Sequence, residues 1–197
     1  MAQAKVYTLD EFVQDVGQVF SDHNDPRAQA QKVSKHLSGL LKVPDSLEGR
    51  LDPPTDGEFT MQNLHLDKDR GHPSPGFLVM VSTLAAGWGN VPHDHGTIWV
   101  VYGVYKGSIQ QTKYQWVYPE GEWTAPQFTV IQKFIQKPGE ISFFLPGEIH
   151  DTSNASTERS LVVRVESRSL EGHWRHMYNL ENNAAVASTS AAPPPAE

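Results

Sequence analysis

Gly87-Trp-Gly-Asn-Val-Pro-His93-Asp-His95-Gly-Thr-Ile-Trp-Val-Val-Tyr-Gly-Val-Tyr-Lys-Gly107 is the stretch around which this 197-residue chain is organised. Side chains of an extended segment repeat every two residues, so His93 and His95 point the same way and can offer two imidazole nitrogens to one metal ion. Asp94, between them, projects to the opposite face and reads as structural.

Outward from this stretch the sequence is β-like almost without interruption. Residues 77–84, 97–105, 108–117, 128–136, 140–145 and 160–167 are short runs rich in valine, isoleucine, threonine and aromatics. Each is bounded by glycine, proline or polar residues, the pattern of an antiparallel sandwich or barrel. An alternating run over 59–64 predicts one more strand, between turn signals at Pro53-Pro54, Asp56-Gly57 and His72-Pro-Ser-Pro-Gly76. Trp174-Arg-His-Met-Tyr-Asn179 is read as closing the barrel end.

The beginning of the chain is different. Thr8-Leu-Asp-Glu11 reads as a capping box opening a helix with Phe12, Val13, Val16, Val19 and Phe20 as its apolar stripe. Asp25-Pro26 caps a second helix, and Ala28, Val33, Leu37, Leu40 and Leu41 keep helical spacing up to the break at Pro44. The expected organisation is a helical segment over 1–44 packed on a β-barrel over 45–183. An alanine-, serine- and proline-rich tail follows over 184–197 and is expected to be disordered.

Composition narrows the chemistry. The chain is 38% hydrophobic and 20% charged, enough apolar material for one core, and its formal charge is -7. With that charge and no basic cluster, neither nucleic acid nor an anionic membrane surface is expected as a partner. Cysteine is absent, which removes disulfides, thiolate ligands and thiol nucleophiles, so metal ligands must be nitrogen or oxygen. No secretory signal or bilayer-spanning run is evident, and a cytoplasmic protein is the expectation. His23, His36, His65, His72, His173 and His176 are read as surface or satisfied core residues.

The spacing from Gly87 through His93 and His95 to Gly107 resembles the first signature of the cupin superfamily. Gly139, Gly147, His150 and Asn154 resemble the second, with Pro146 displaced by one position. The resemblance implies an all-β double-stranded β-helix (jelly-roll) barrel carrying N-terminal helices. It also implies a metal site of His93, His95 and His150. Many cupins carry a glutamate ligand where this chain has Val100, so the protein side of the site is expected to be all histidine.

Within that superfamily, residues 59–170 resemble the cysteine dioxygenase and 3-mercaptopropionate dioxygenase family of thiol dioxygenases. Pro92-His-Asp-His-Gly-Thr-Ile-Trp99 and Leu145-Pro-Gly-Glu-Ile-His150-Asp-Thr-Ser-Asn154 are the specific part. The resemblance implies Fe(II) on three histidines, a small thiol and dioxygen as partners, and a sulfinic acid as product. The family's Ser-x-His-x-Tyr relay aligns with Ser160-Leu-Val162-Val-Arg164, which keeps the serine and replaces histidine and tyrosine. Ser160 and Arg164 are the catalytic candidates. Gln62, Arg164, Arg168 and Tyr102 are the substrate-binding candidates, with Arg164 favoured for a substrate carboxylate. Another metal-dependent cupin reaction (isomerase, lyase or ring-cleaving oxygenase) and a non-catalytic small-molecule-binding cupin remain the alternatives.

Overall fold

A computed structural model describes residues 6–52, 57–70, 76–117 and 127–189. The expected turns at Pro53-Pro54, Asp56 and residues 72–75 lie outside the described residues.

Helix α1 spans Leu9–Asp22 and opens with the predicted box: the Glu11 amide donates to Thr8 Oγ1 at 3.2 Å and the Thr8 amide to Glu11 Oε2 at 3.0 Å. Helix α2 spans Pro26–Leu41, with Asp25 Oδ2 accepting from the Ala28 amide at 2.7 Å. Strands follow at β1 Phe59–Leu66, β2 Leu78–Leu84, β3 Val100–Lys106, β4 Ile109–Val117 and β5 Gln127–Gln136. The series continues with β6 Ile141–Phe144, β7 Ile149–Asn154, β8 Ser160–Glu166, β9 Trp174–Asn179 and β10 Ala184–Thr189.

All strand pairings among the described residues are antiparallel. One sheet has the order β1-β2-β8-β3-β6, and facing it is a sheet of order β5-β4-β7. This is the double-stranded β-helix barrel. Because neighbours along a strand point to opposite faces, the five-stranded sheet serves two cores. Its outer face, including Val79, Val81, Val101, Val163 and Val165, packs on Phe12, Val16, Val33, Leu37 and Leu40 of the helices. Its inner face, including Val100, Tyr102, Val104, Phe144 and Val162, meets Ile109 of β4 inside the barrel. Trp99 seals the outer layer, stacking on Phe20 with ring centroids 5.7 Å apart and donating its indole N–H to Gln29 Oε1 at 3.0 Å. No helix among the described residues is long and apolar enough to cross a membrane.

The end of the chain corrects one expectation. Residues 184–189, expected in a disordered tail, form β10, paired antiparallel with β9 from Ala184↔Asn179 to Thr189↔Trp174. Asn183, at φ +50, makes the turn, and its side-chain oxygen accepts from the Phe128 amide at 3.2 Å. Backbone ladder bonds, rather than apolar periodicity, make this strand. Residues 190–197 lie outside the described residues.

If the helices are docked as a structural layer, Leu37→Ala, fully buried between α2 and the sheet, should cost about 2–5 kcal/mol. Loss of the exposed cap in Thr8→Ala should cost only about 1 kcal/mol. Chemical denaturation of both variants checks this ordering; similar small losses would mean that α2 contributes little to the core.

Candidate metal centre

His93, His95 and His150 come together inside the barrel, each offering a nitrogen such that the three ligand atoms lie within 4.8 Å of one another. Ring centroids are separated by 4.9 Å for His93 and His95, 4.7 Å for His93 and His150, and 5.1 Å for His95 and His150. The first two lie in the loop before β3 rather than on a regular strand, and His150 is on β7. A two-bond antiparallel bridge joins them: the His93 amide donates to the His150 carbonyl, and the His150 amide to the His93 carbonyl, both at 2.9 Å.

Each imidazole is oriented by what its other atoms meet. His93 Nδ1 is 2.9 Å from the Val91 carbonyl, which can only accept, so Nδ1 carries the proton and Nε2 keeps its lone pair. His150 Nδ1 reaches Gln111 Oε1 at 3.1 Å, and Phe144 stacks on the same ring with centroids 3.7 Å apart. That leaves His150 Nε2 directed inward, 2.9 Å from His95 Nε2. All three rings are buried, and burial first, then nearby positive charge, lowers their pKa values: His93 to about 4, His95 and His150 well below the ordinary histidine range. Burial therefore favours neutral imidazoles, and His93 and His150, whose Nδ1 atoms face carbonyl oxygens, keep their Nε2 lone pairs open to a cation. Val100, at the position where many cupins carry a glutamate, is fully buried and supplies no oxygen.

Asp94 has the structural role read from its alternation. Its Oδ1 accepts from the amides of Gly96 at 2.8 Å and His176 at 3.0 Å; its Oδ2 accepts from Tyr178 Oη at 2.7 Å and lies 3.1 Å from His176 Nδ1. Burial pushes this carboxyl up, but the hydrogen bonds from Tyr178, His176 and Gly96 outweigh it and hold its pKa below the ordinary value. The ligand loop is thus tied to β9, and His176, read as a surface or core histidine, is one of the ties. Gly96 sits at φ +59, and a Cβ there would lie 2.2 Å from the Trp174 carbonyl oxygen.

A cavity of about 390 Å³ opens beside His93 and includes Arg164, Glu166 and Arg175 among its lining residues. Arg164 reaches inward from β8: its Nη2 is 2.7 Å from Glu166 Oε1 and 3.5 Å from His95 Nδ1, and its guanidinium lies 5.5 Å from the Tyr102 ring centre. Tyr102 Oη is 3.3 Å from His95 Nε2, and burial raises the pKa of this phenol, so it stays protonated.

The remaining candidates sit elsewhere. Ser160, a catalytic candidate, donates to Asn154 Oδ1 at 2.7 Å and accepts from the Ser108 amide at 3.1 Å. It fastens the β3–β4 turn at Gly107 to β8, at the strand end remote from Arg164, and relays nothing to the histidines. Gln62 is on the wrong face of β1: the cavity takes Phe59, Met61 and Asn63, while the Gln62 amide donates to the Arg50 carbonyl and accepts from the Asp52 amide, both at 2.8 Å. Arg168 lies half-buried beyond β8 and does not line the cavity.

Three residues of the site were missed in the sequence. Glu166 was findable, being two positions beyond Arg164 on the same face. Arg175 and Gln111 needed the fold, since nothing local marks β9 or β4 as facing the histidines. The Arg175 side chain makes no hydrogen bond or ion pair among the described residues and its Nε is buried without a partner; burial and then the charge of Arg164 lower its pKa, against the weaker opposing pull of Tyr102, Glu166 and Asp94.

The sequence matches no family model and no curated protein. Among solved structures, the cupin domain of Schizosaccharomyces pombe Cnp3 has a TM-score of 0.42 and 12% identity, over 57% of this chain and 66% of that one. Recombinant oxalate oxidase in complex with glycolate has a TM-score of 0.42 and 16% identity, over 67% of this chain and 56% of that one. The TT1209 protein of Thermus thermophilus has a TM-score of 0.44 and 18% identity, over 60% of this chain and 91% of that one. The chain thus spans 66% and 56% of the length of the first two. The strand order stands without these matches.

His150→Ala should leave the far-ultraviolet circular dichroism spectrum unchanged and reduce the divalent metal bound per chain at least tenfold in elemental analysis; full occupancy would remove His150 from the ligand set. Gly96→Ala should lower both stability and metal content. The left-handed backbone alone costs about 1–3 kcal/mol with a side chain, and the carbonyl of Trp174 blocks the Cβ.

Proposed function

We propose that this protein is a metal-dependent dioxygenase that converts a thiol bearing an anionic group to the sulfinic acid. The observation that carries the reading is an all-imidazole ligand set of which one member, His93, lines a cavity that also holds Arg175, an arginine whose side chain makes no hydrogen bond or ion pair among the described residues. The balance is R–SH plus O₂ giving R–SO₂H: both oxygen atoms go to sulfur, which loses four electrons.

The donor set fits a borderline divalent ion, since three neutral imidazoles suit iron or zinc and none brings a charge. Ferrous iron held by His93, His95 and His150 would supply open coordination positions at which a thiolate and dioxygen are brought together. The chain's own residues account for the rest. Arg175 binds the substrate's anionic group through a charge-assisted hydrogen bond in a partly dry cavity. Arg164 is less suited to that role than its strand position suggested, because Glu166 already neutralises it at 2.7 Å. The Arg164–Glu166 pair instead positions the Tyr102 ring, whose hydroxyl holds a proton 3.3 Å from His95 Nε2. There it can donate a hydrogen bond to negative charge developing at the centre.

Oxygen uptake by the iron-loaded protein with cysteine, 3-mercaptopropionate and cysteamine tests the proposal. One sulfinate should form per dioxygen consumed, with the acids preferred over cysteamine. Arg175→Gln should raise KM for the acids at least tenfold, corresponding to about 1.4 kcal/mol or more, and leave cysteamine turnover unchanged. Arg164→Ala should instead lower stability, because it strands the buried Glu166 carboxylate. No oxygen uptake with any thiol would overturn the dioxygenase reading.

A further inference from the structure

The cavity is larger and more apolar than a three-carbon thiol acid requires. Its volume of about 390 Å³ is that of roughly a dozen waters at about 30 Å³ each. A three-carbon thiol acid has about half that number of non-hydrogen atoms.

The surplus space has a definite chemistry. Phe59 of β1 and Trp88 of the ligand loop stack with ring centroids 4.6 Å apart and planes 13° apart, and both line the cavity, giving it an aromatic side. Met61, two residues along the same face of β1, continues it and is 57% exposed, although methionine gains by burial. Met80 and Met177 line the same space from β2 and β9, so every methionine among the described residues is here. Thioether side chains are flexible and polarizable, and they make favourable contacts with aromatic rings of varied shape. A single exposed apolar side chain needs no explanation. Here the exposed Met61 adjoins the half-buried Phe59, Trp88 and Met177 and the buried Met80 in one cavity, next to a metal-ligand histidine and Arg175.

From this arrangement we infer that the site takes an acid with an apolar, preferably aromatic, extension. The acid group binds Arg175, and the extension lies on the Phe59–Trp88 side with Met61, Met80 and Met177 closing around it. The inference rests on the reading of this cavity as the substrate site, and it narrows the substrate class from three-carbon thiols to larger, arylated or alkylated thiol acids.

Calorimetric titration of the purified full chain with butyrate and with 4-phenylbutyrate, neither of which is a thiol, tests it without any turnover. Phenylbutyrate should bind at least tenfold more tightly, with a negative heat-capacity change from apolar burial. Trp88→Ala should reduce that preference to threefold or less. Met61→Ala, at an exposed position that leaves the fold intact, should reduce it at least threefold, and Arg175→Gln should weaken both acids by the same factor. Equal affinity for the two acids, or a preference that survives both Trp88→Ala and Met61→Ala, would overturn the inference. A chain that prefers phenylbutyrate but oxidises no thiol loses only the dioxygenase reading. A chain that oxidises three-carbon thiols but binds both acids equally loses only this one.

Discussion

The pair of backbone hydrogen bonds between His93 and His150, 2.9 Å in each direction, is the constraint on which the rest of the site depends. It ties the loop that carries His93 and His95 to β7, which carries His150. Without it the histidines would belong to two segments far apart along the chain, and loop closure would have to be met by the metal alone. With it, the three imidazoles are brought together by the backbone, and the cation is received rather than required. The same loop is fastened on its other side to β9, through the His93↔Met177 bridge and through Asp94. The C-terminal hairpin is thus part of the centre's support, and it also delivers Arg175 to the cavity.

Electrostatics divides the site into a neutral centre and a charged wall. Burial favours uncharged imidazoles, so the ligands bring no charge, and a divalent ion there would keep its own. In the wall, Arg164 is matched by Glu166, whose other oxygen accepts from the Leu170 amide at 3.2 Å. Arg175 has no such match among the described residues. Removing one member of a buried pair leaves an uncompensated charge, whereas an unpaired arginine at a cavity is open to an anion. On the proposed reading, this asymmetry gives Arg164 the structural role and Arg175 the binding one.

Much of this was legible in the chain itself. The capping box at Thr8 and Glu11, the helical stripes, the short β-runs and the spacing of His93, His95 and His150 each follow from local patterns that the fold preserves. What failed did so for physical reasons. Gln62, a substrate-binding candidate, lies on the face of β1 opposite to Met61, and a one-residue step on a strand reverses the side chain's direction. Ser160 shares its face with Arg164, yet its hydroxyl is consumed by Asn154 and Ser108, a pairing between distant segments. Strand β10 has the composition of a tail; only its ladder to β9 makes it a strand. The position of Arg175 follows from how that hairpin docks, and docking is set by Asp94, Tyr178 and backbone groups distant in sequence.

The central claim is that three neutral imidazoles, and no carboxylate, hold one metal ion between the two sheets. X-ray absorption at the metal edge of the zinc-loaded protein tests it most directly, because imidazole rings give a characteristic outer-shell scattering pattern. The account predicts three imidazole nitrogens at about 2.0–2.1 Å, with the remaining positions taken by solvent oxygen. Fewer than three imidazoles, or a carboxylate bound directly to the metal, would contradict it.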